Sequence, residues 1–186
     1  MKTTTLFPEI LFTGTLEIEH DINQKILAGI EKLKDSGAST ETHFGWISNP
    51  DVPLKGDLKS LQVLIGRTFL SNLQHTFGKV PTKKINCVQP YVSSIKPDHT
   101  FNIETNPKYF YTGCLWVQTS DKGSCLWIED PSAKRYSSPY AYQKPSHIEK
   151  AVQYKYAFWP SHMFTGYTPN NSMINSIIIN MGFTAT

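Results

Sequence analysis

The stretch FNIETNPKYFYTGCLWV, residues 101–117, indicates more about the fold than any other part of the sequence. It begins as an extended segment, turns at Asn106-Pro107 and continues as an aromatic strand that contains the pair Thr112-Gly113. Asparagine followed by proline marks a turn, and aromatic and β-branched residues favour strands. The stretch therefore predicts two strands joined by a turn.

Similar short runs continue to the end of the chain. They are rich in β-branched or aromatic residues and are bounded by Gly, Pro, Asn or Ser, as half-buried strands are. Examples are INCVQPYVSSI, SCLWIED, AVQYKYAFWP and MINSIIINMGF. The segment TSDKGS, residues 119–124, is typical of a hairpin turn. We predict seven or eight antiparallel strands in residues 79–186.

The N-terminal part has helical patterns. Residues 6–18 read as a first strand, and Asp21 with a Gln three residues later resembles a capping box that starts a helix over 21–35. Residues 36–56 are rich in turn formers and predict a loop. Asp57 is placed to cap a second helix, which carries apolar residues on one face and ends near residue 76.

These elements predict one α+β domain, mainly β, that spans residues 1–186. Residues 1–78 contain an entry strand and two helices, and the two helices pack on one sheet of a jelly roll formed by residues 79–186. A chain of 186 residues with 39% hydrophobic and 18% charged residues suits a single globular domain.

Composition argues against several classes of function. The net charge is only +3, and the basic residues are scattered, so we expect no nucleic-acid partner. No run approaches the length of a membrane helix, and the N-terminus lacks the pattern of a signal peptide. We therefore expect no membrane association and no secretion through a signal peptide.

The three cysteines, Cys87, Cys114 and Cys125, lack the spacing of zinc ligands. We expect them to be reduced and structural. Cys114 and Cys125 are also placed to face each other across the predicted hairpin.

The order of landmarks along nearly the whole chain resembles a family of small iron(II)/2-oxoglutarate-dependent oxygenases found in phages and marine bacteria. The motifs that carry the resemblance are LFPEILF, GWIS followed by DVP, TGCLWV, WIEDP, WPSHMFTGYTP and the closing SIIIN. The resemblance implies a double-stranded β-helix, which is a form of jelly roll, and an Fe(II) ion with 2-oxoglutarate as cosubstrate. The setting of that family also implies a location in the cytoplasm of a host cell or in a virion.

The residues at the family's functional positions depart from its pattern. Alignment on Thr112-Gly113 places the family's first two iron ligands on Glu104 and Asn106, and alignment on the WPS motif places the third on Thr165. The family also holds the cosubstrate's distal carboxylate with an arginine on the last strand, but no arginine follows Arg135. One carboxylate, one amide and one hydroxyl make a poor Fe(II) site.

A rearranged triad would restore the usual two histidines and one carboxylate. His99, Glu104 and His162 have the right chemistry, although their spacing is not the family's. Ordinary histidines at strand ends are the competing interpretation. Lys155 has the same charge as the missing arginine and could bind the carboxylate in its place. However, its alternation with Tyr154 and Tyr156 predicts that its side chain points outward.

Two further sets of residues are candidates for binding. Tyr91, Glu104, Trp116 and Asn180 would line a small-molecule pocket in the mouth of the jelly roll. A polar, proline-bearing segment over residues 132–150 is placed as a contact loop for a protein partner or a second copy of the chain, or as a plain surface loop. Its candidate contact residues are Arg135, Tyr136, Tyr140 and Tyr142.

Two functions follow from these observations. The first, which the missing ligands favour, is a non-catalytic binding or assembly module with no catalytic residues, metal or cofactor, in the setting of a phage particle. The second is an Fe(II)/2-oxoglutarate-dependent dioxygenase that uses the rearranged triad.

Overall fold

A computed structural model describes residues 2–6, 9–78, 84–103, 108–129 and 147–185. These ranges contain two helices, α1 (His20–Asp35) and α2 (Gly56–Phe77). Their strands are β1 (Lys2–Leu6), β2 (Glu9–Thr15), β3 (Ser39–Thr42), β4 (Gly45–Ser48), β5 (Ile85–Ile95), β6 (Phe101–Ile103), β7 (Tyr111–Gln118), β8 (Leu126–Glu129), β9 (His147–Glu149), β10 (Lys155–Pro160), β11 (Phe164–Tyr167) and β12 (Ser176–Ala185).

The strands form two sheets. The larger has the order β1-β2-β10-β7-β12-β5-β4-β3, and the smaller has the order β6-β11-β8-β9. From β5 onward the chain alternates between the two sheets, except at β8 and β9, which are neighbours in the smaller one. All of the pairings are antiparallel, and this alternation is the pattern of a jelly roll.

Both faces of the larger sheet are covered. On one face, β-strand side chains such as Leu115 and Phe183 pack with Ile30 of α1 and Phe69 of α2. On the other face, a second cluster joins the larger sheet to the smaller one and includes Trp116. Because both sides of β12 are buried, the strand reads as a continuous apolar run and not as an alternating one.

The helices begin one residue before the predicted positions, and neither begins with a side-chain cap. Glu19 and Lys55 occupy the N-cap positions without capping hydrogen bonds, so Asp21 and Asp57 lie inside the first turn. There their carboxylates favour the helix through its dipole. Neither described helix is both long and apolar enough to span a bilayer.

Two predictions about connections are wrong. Residues 36–56 are not a plain loop, because β3 and β4 form a hairpin there that pairs with β5. Residues 119–124 do turn the chain, with the Gly123 amide donating to the Ser120 carbonyl over 3.0 Å, but they carry it from one sheet to the other. They therefore do not form a hairpin, and the strands that carry Cys114 and Cys125 are not paired; both thiols are free, as is that of Cys87.

Candidate functional site

The smaller sheet has two different ends. At the first, which we name the loop end, β6 and β8 finish at Ile103 and Glu129 while β11 begins at Phe164. At the second, the turn end, residues 96–100 lead from β5 into β6 and residues 168–175 lead from β11 into β12. Each predicted ligand can be assigned to one of these ends or to the sheet between them.

Thr165 lies near the loop end. It is the Cα partner of Ile103 on β6 and of Ile128 on β8. Its side chain is buried, and it shares a face with Ile128, which belongs to the cluster between the sheets. The position that aligns with the family's third ligand therefore faces the interior, as a ligand position would, but it carries a hydroxyl.

His162 also lies at the loop end, in a turn that the Met163 amide closes by donating to the Pro160 carbonyl over 3.1 Å. Its side chain is exposed, whereas its neighbours Ser161 and Met163 are buried.

His99 lies at the turn end. Its Nδ1 is 2.7 Å from the Pro97 carbonyl oxygen, and its own carbonyl accepts from the Asn170 amide over 2.9 Å. The four residues of strand β11, at about 3.3 Å per residue, lie between the turn that carries His162 and Asn170. The structure therefore does not bring His99 and His162 together, and one metal ion would need both nitrogens at roughly 2.0–2.1 Å.

The described residues do not fit a complete iron site. Within the ranges given above, no three His, Cys, Asp or Glu side chains are grouped so that they could hold a metal ion. Glu104 and Asn106, which follow Ile103 directly in the chain, lie outside the described residues, and so do Arg135, Tyr136, Tyr140 and Tyr142. A complete metal site at the loop end would need at least one ligand from outside the described residues.

A buried polar chain crosses the space between the sheets. The Tyr167 hydroxyl donates to Asn180 Oδ1 over 2.7 Å, and Asn180 Nδ2 donates to Ser93 Oγ over 2.9 Å. All three side chains are at most 1% exposed. Burial raises the pKa of the Tyr167 hydroxyl well above its ordinary value, so the hydroxyl remains a donor at neutral pH.

The predicted pocket residues are located around this chain. Asn180 belongs to it, and Tyr91 is the Cα partner of Asn180 on β5. Trp116 is fully buried two residues from Cys114, the partner of Asn180 on β7, and its indole Nε1 donates to the Ser124 carbonyl over 2.9 Å. Two of the three members of this chain, Tyr167 and Asn180, are therefore hydrogen-bonded within the protein.

Lys155 points inward, not outward as its tyrosine neighbours predicted. It shares a face of β10 with Ala157, which packs between the sheets, and its Nζ forms an ion pair with Glu149 on the smaller sheet. His147 Nε2 lies 3.0 Å from the other Glu149 oxygen. Sequence reasoning missed this cluster because His147 and Glu149 lie in a segment that resembles a loop and β9 is only three residues long.

The pKa of Glu149 depends on its two neighbours, Lys155 and His147. Burial by itself would raise the pKa of this carboxyl, but the hydrogen bonds and charges of Lys155 and His147 outweigh burial and hold the pKa below its ordinary value. Glu149 is therefore ionised at neutral pH and neutralises Lys155.

Several solved structures superpose on nearly the whole chain. A prolyl-4-hydroxylase from Pseudomonas putida superposes with a TM-score of 0.63 at 9% identity, covering 93% of this chain and 91% of that one. An oxidoreductase of the 2OG-Fe(II) oxygenase family from Burkholderia pseudomallei gives 0.61 at 9% identity, with 92% and 84% covered. HygX from Streptomyces hygroscopicus, solved with nickel, 2-oxoglutarate and hygromycin B bound, gives 0.63 at 8% identity, with 95% and 83% covered.

No protein-family model matches the sequence, and no curated protein matches it. The structural likeness shows that the chain has the jelly-roll fold of the 2-oxoglutarate/Fe(II) oxygenases. It also corrects the prediction of a non-catalytic binding or assembly module in a phage particle. These three proteins are a hydroxylase, an oxidoreductase and a protein with 2-oxoglutarate bound, and the fold therefore favours the enzymatic alternative.

Proposed function

We propose that the protein is an Fe(II)/2-oxoglutarate-dependent dioxygenase. The observation that carries the proposal is the agreement of the fold with such enzymes over more than nine-tenths of the chain. A metal site on this scaffold would lie at the loop end, where β11 begins and β6 ends. Thr165, which aligns with the family's third ligand, faces the interior there.

The ligands would differ from the predicted triad. Glu104 would supply the carboxylate, because it directly follows Ile103 in the chain, and His162 the imidazole, because its turn leads into β11 at the loop end. Asn106, two residues after Glu104, supplies an amide oxygen as a weaker donor. His99 is left out because the structure places it at the turn end.

The described residues between the sheets would mainly exclude water and hold hydrogen-bond donors in fixed positions. Thr165, Tyr167 and Asn180 are buried between the sheets, and Tyr167 and Asn180 are already hydrogen-bonded within the protein. To form an ion pair with Lys155, a cosubstrate carboxylate would have to compete with Glu149. We therefore expect weaker binding of 2-oxoglutarate than in an enzyme with an unpaired arginine.

The proposal is tested by anaerobic calorimetry of Fe(II) binding, with and without 2-oxoglutarate. We expect one site per chain, tighter when 2-oxoglutarate is present. His162→Ala should weaken binding by a factor of roughly 10 or more, because an imidazole ligand is lost. The matched control His99→Ala should leave the affinity unchanged, since that histidine lies at the other end of the sheet.

Two outcomes would contradict the proposal. A folded wild-type protein that takes up no Fe(II) at either concentration of 2-oxoglutarate would exclude the proposed activity. Loss of Fe(II) binding in the His99 variant but not in the His162 variant would place the metal at the turn end and not at the loop end.

A further inference from the structure

A cavity of about 460 Å³ lies between the two helices. Residues of α1 between Lys25 and Ser36 form one wall, and residues 52–58, which lead into α2, form the other. Leu33 and Leu58, one from each wall, pack with the cluster on the helix side of the larger sheet. The cavity is therefore on the opposite face of that sheet from the loop end. Its volume is within the range of roughly 300–1,000 Å³ that is usual for small-molecule sites.

The apolar part of the lining is aliphatic. It consists of side chains such as Leu33, Val52, Pro53 and Leu58, and none of the residues that line the cavity, all of them described, is aromatic. Gly29 brings α1 close to α2 here, because a Cβ atom built on it would lie only 3.3 Å from Leu58 Cγ. An aliphatic chain in this cavity would remove apolar surface from water, which favours binding.

Three lysines surround the aliphatic surface. Lys25 and Lys32 lie seven residues apart on α1, which is about two helical turns, and Lys55 belongs to the other wall. All three are exposed, so their ammonium groups reach solvent. None of them forms an ion pair with a carboxylate in the described part of the chain.

The lining contains one carboxylate, that of Asp57. Asp57 lies in the first turn of α2, where the helix dipole offsets part of its negative charge. Three lysines against one aspartate leave the lining with a formal charge of +2. The cavity therefore combines an aliphatic surface with an excess of positive charge.

We propose that this cavity binds an anion with an aliphatic tail, either a medium-chain carboxylate or an alkyl phosphate. The tail lies against the leucines, and the lysines hold the anionic headgroup at the solvent side. Lysine acts as a point charge without the fixed geometry of arginine, so the same three side chains suit both headgroups. The tail supplies most of the affinity, and the lysines select the sign of the charge.

The first test is a titration of the metal-free protein with octanoate and with octyl phosphate, followed by amide NMR shifts. We expect saturable shifts, largest in residues 25–36 and 52–58, with at least one of the two anions; the tighter one identifies the headgroup. Acetate has no tail and octyltrimethylammonium has the opposite charge, so neither should saturate these shifts. No saturable shifts with either anion, or equal binding of octyltrimethylammonium, would overturn the proposal.

The second test fills the cavity. Ala28 is an exposed residue of α1 that lines it, and leucine is a good helix former, so Ala28→Leu should fold and occupy the space for the tail. The matched control is Gln24→Leu, at an exposed position of the same helix outside the lining. We expect Ala28→Leu to abolish saturable binding and Gln24→Leu to retain it. Wild-type binding in a folded Ala28→Leu variant would contradict the proposal.

The third test removes charge from the lining. Lys25→Gln/Lys32→Gln should weaken binding of the anion roughly 5-fold, since each exposed ion pair contributes modestly. Lys122→Gln/Lys150→Gln is the control, because it removes the same charge from two exposed lysines outside the lining. An equal loss of affinity in the two double variants would reduce the effect to net charge and overturn the role of the lining lysines. None of the three tests requires a metal ion, so their outcome is separate from that of the proposed activity.

Discussion

At the residue scale, the buried chain Tyr167–Asn180–Ser93 is the most specific feature of the interior. Replacing Asn180 with alanine would remove the acceptor of the buried Tyr167 hydroxyl and leave Ser93 Oγ with only its 3.5 Å bond to the Ile178 carbonyl. A buried polar group left without its partner costs about 1–3 kcal/mol, so we expect Asn180→Ala to lower the free energy of unfolding by roughly 1–3 kcal/mol.

Urea denaturation followed by fluorescence measures this loss. The control is Asn171→Ala, at an exposed asparagine nine residues earlier, which should change the free energy of unfolding by less than about 0.5 kcal/mol. Similar losses of unfolding free energy in the two variants would show that the Asn180 hydrogen bonds stabilise the fold no more than an average surface residue does.

The sequence supplied candidate residues for the site, but it could not show how they are arranged in space. The alignment on the WPS motif placed Thr165 at a ligand position, and the structure shows it buried and facing the interior. The separation of His99 from His162 was not predictable. It depends on which end of β6 each histidine lies at, and that follows from strand pairing and not from spacing along the chain.

At the scale of elements, Glu149 links the edge strand β9 of the smaller sheet to β10 of the larger one through Lys155. Its pKa in the folded protein is lowered from the ordinary value of 4.5. A lowered folded pKa gives stability that is fully present above the unfolded pKa and is lost as the pH falls through the folded one.

Glu149→Gln should therefore make stability less dependent on pH in the acid range, from about pH 5 downward. Thermal unfolding curves recorded between pH 3 and 7 measure this, with Glu41→Gln as the control, because Glu41 forms only an exposed pair with Lys96 at 3.8 Å. An acid slope in Glu149→Gln as steep as that of the wild type would contradict a role for this ion pair in stability.

The strongly patterned elements were the predictable ones. The apolar spacing of Ile26 and Ile30 marks α1, and the aromatic run 111–118 marks β7. The hairpin of β3 and β4 was missed because its strands have four residues each, and β3 is polar. The turn at 119–124 was recognised, but a turn sequence does not show whether the next strand joins the same sheet or the opposite one.

At the scale of the whole molecule, the fold and the residues at the aligned ligand positions indicate different functions. The jelly roll agrees with oxygenase structures over more than nine-tenths of the chain, yet the aligned ligand positions hold Glu104, Asn106 and Thr165. Function was predicted wrongly because missing ligands were given more weight than the fold. The two are reconciled if Glu104 and His162 bind the metal at the loop end.

The most direct test is to locate a bound metal ion by paramagnetic broadening of amide NMR signals on addition of Mn(II) to the metal-free protein. Our account predicts that broadening is strongest for residues 161–165 and for Ile103, and weakest for His99 and Asn170 at the turn end. Strongest broadening at the turn end, or uniform weak broadening without saturation, would contradict a metal site at the loop end.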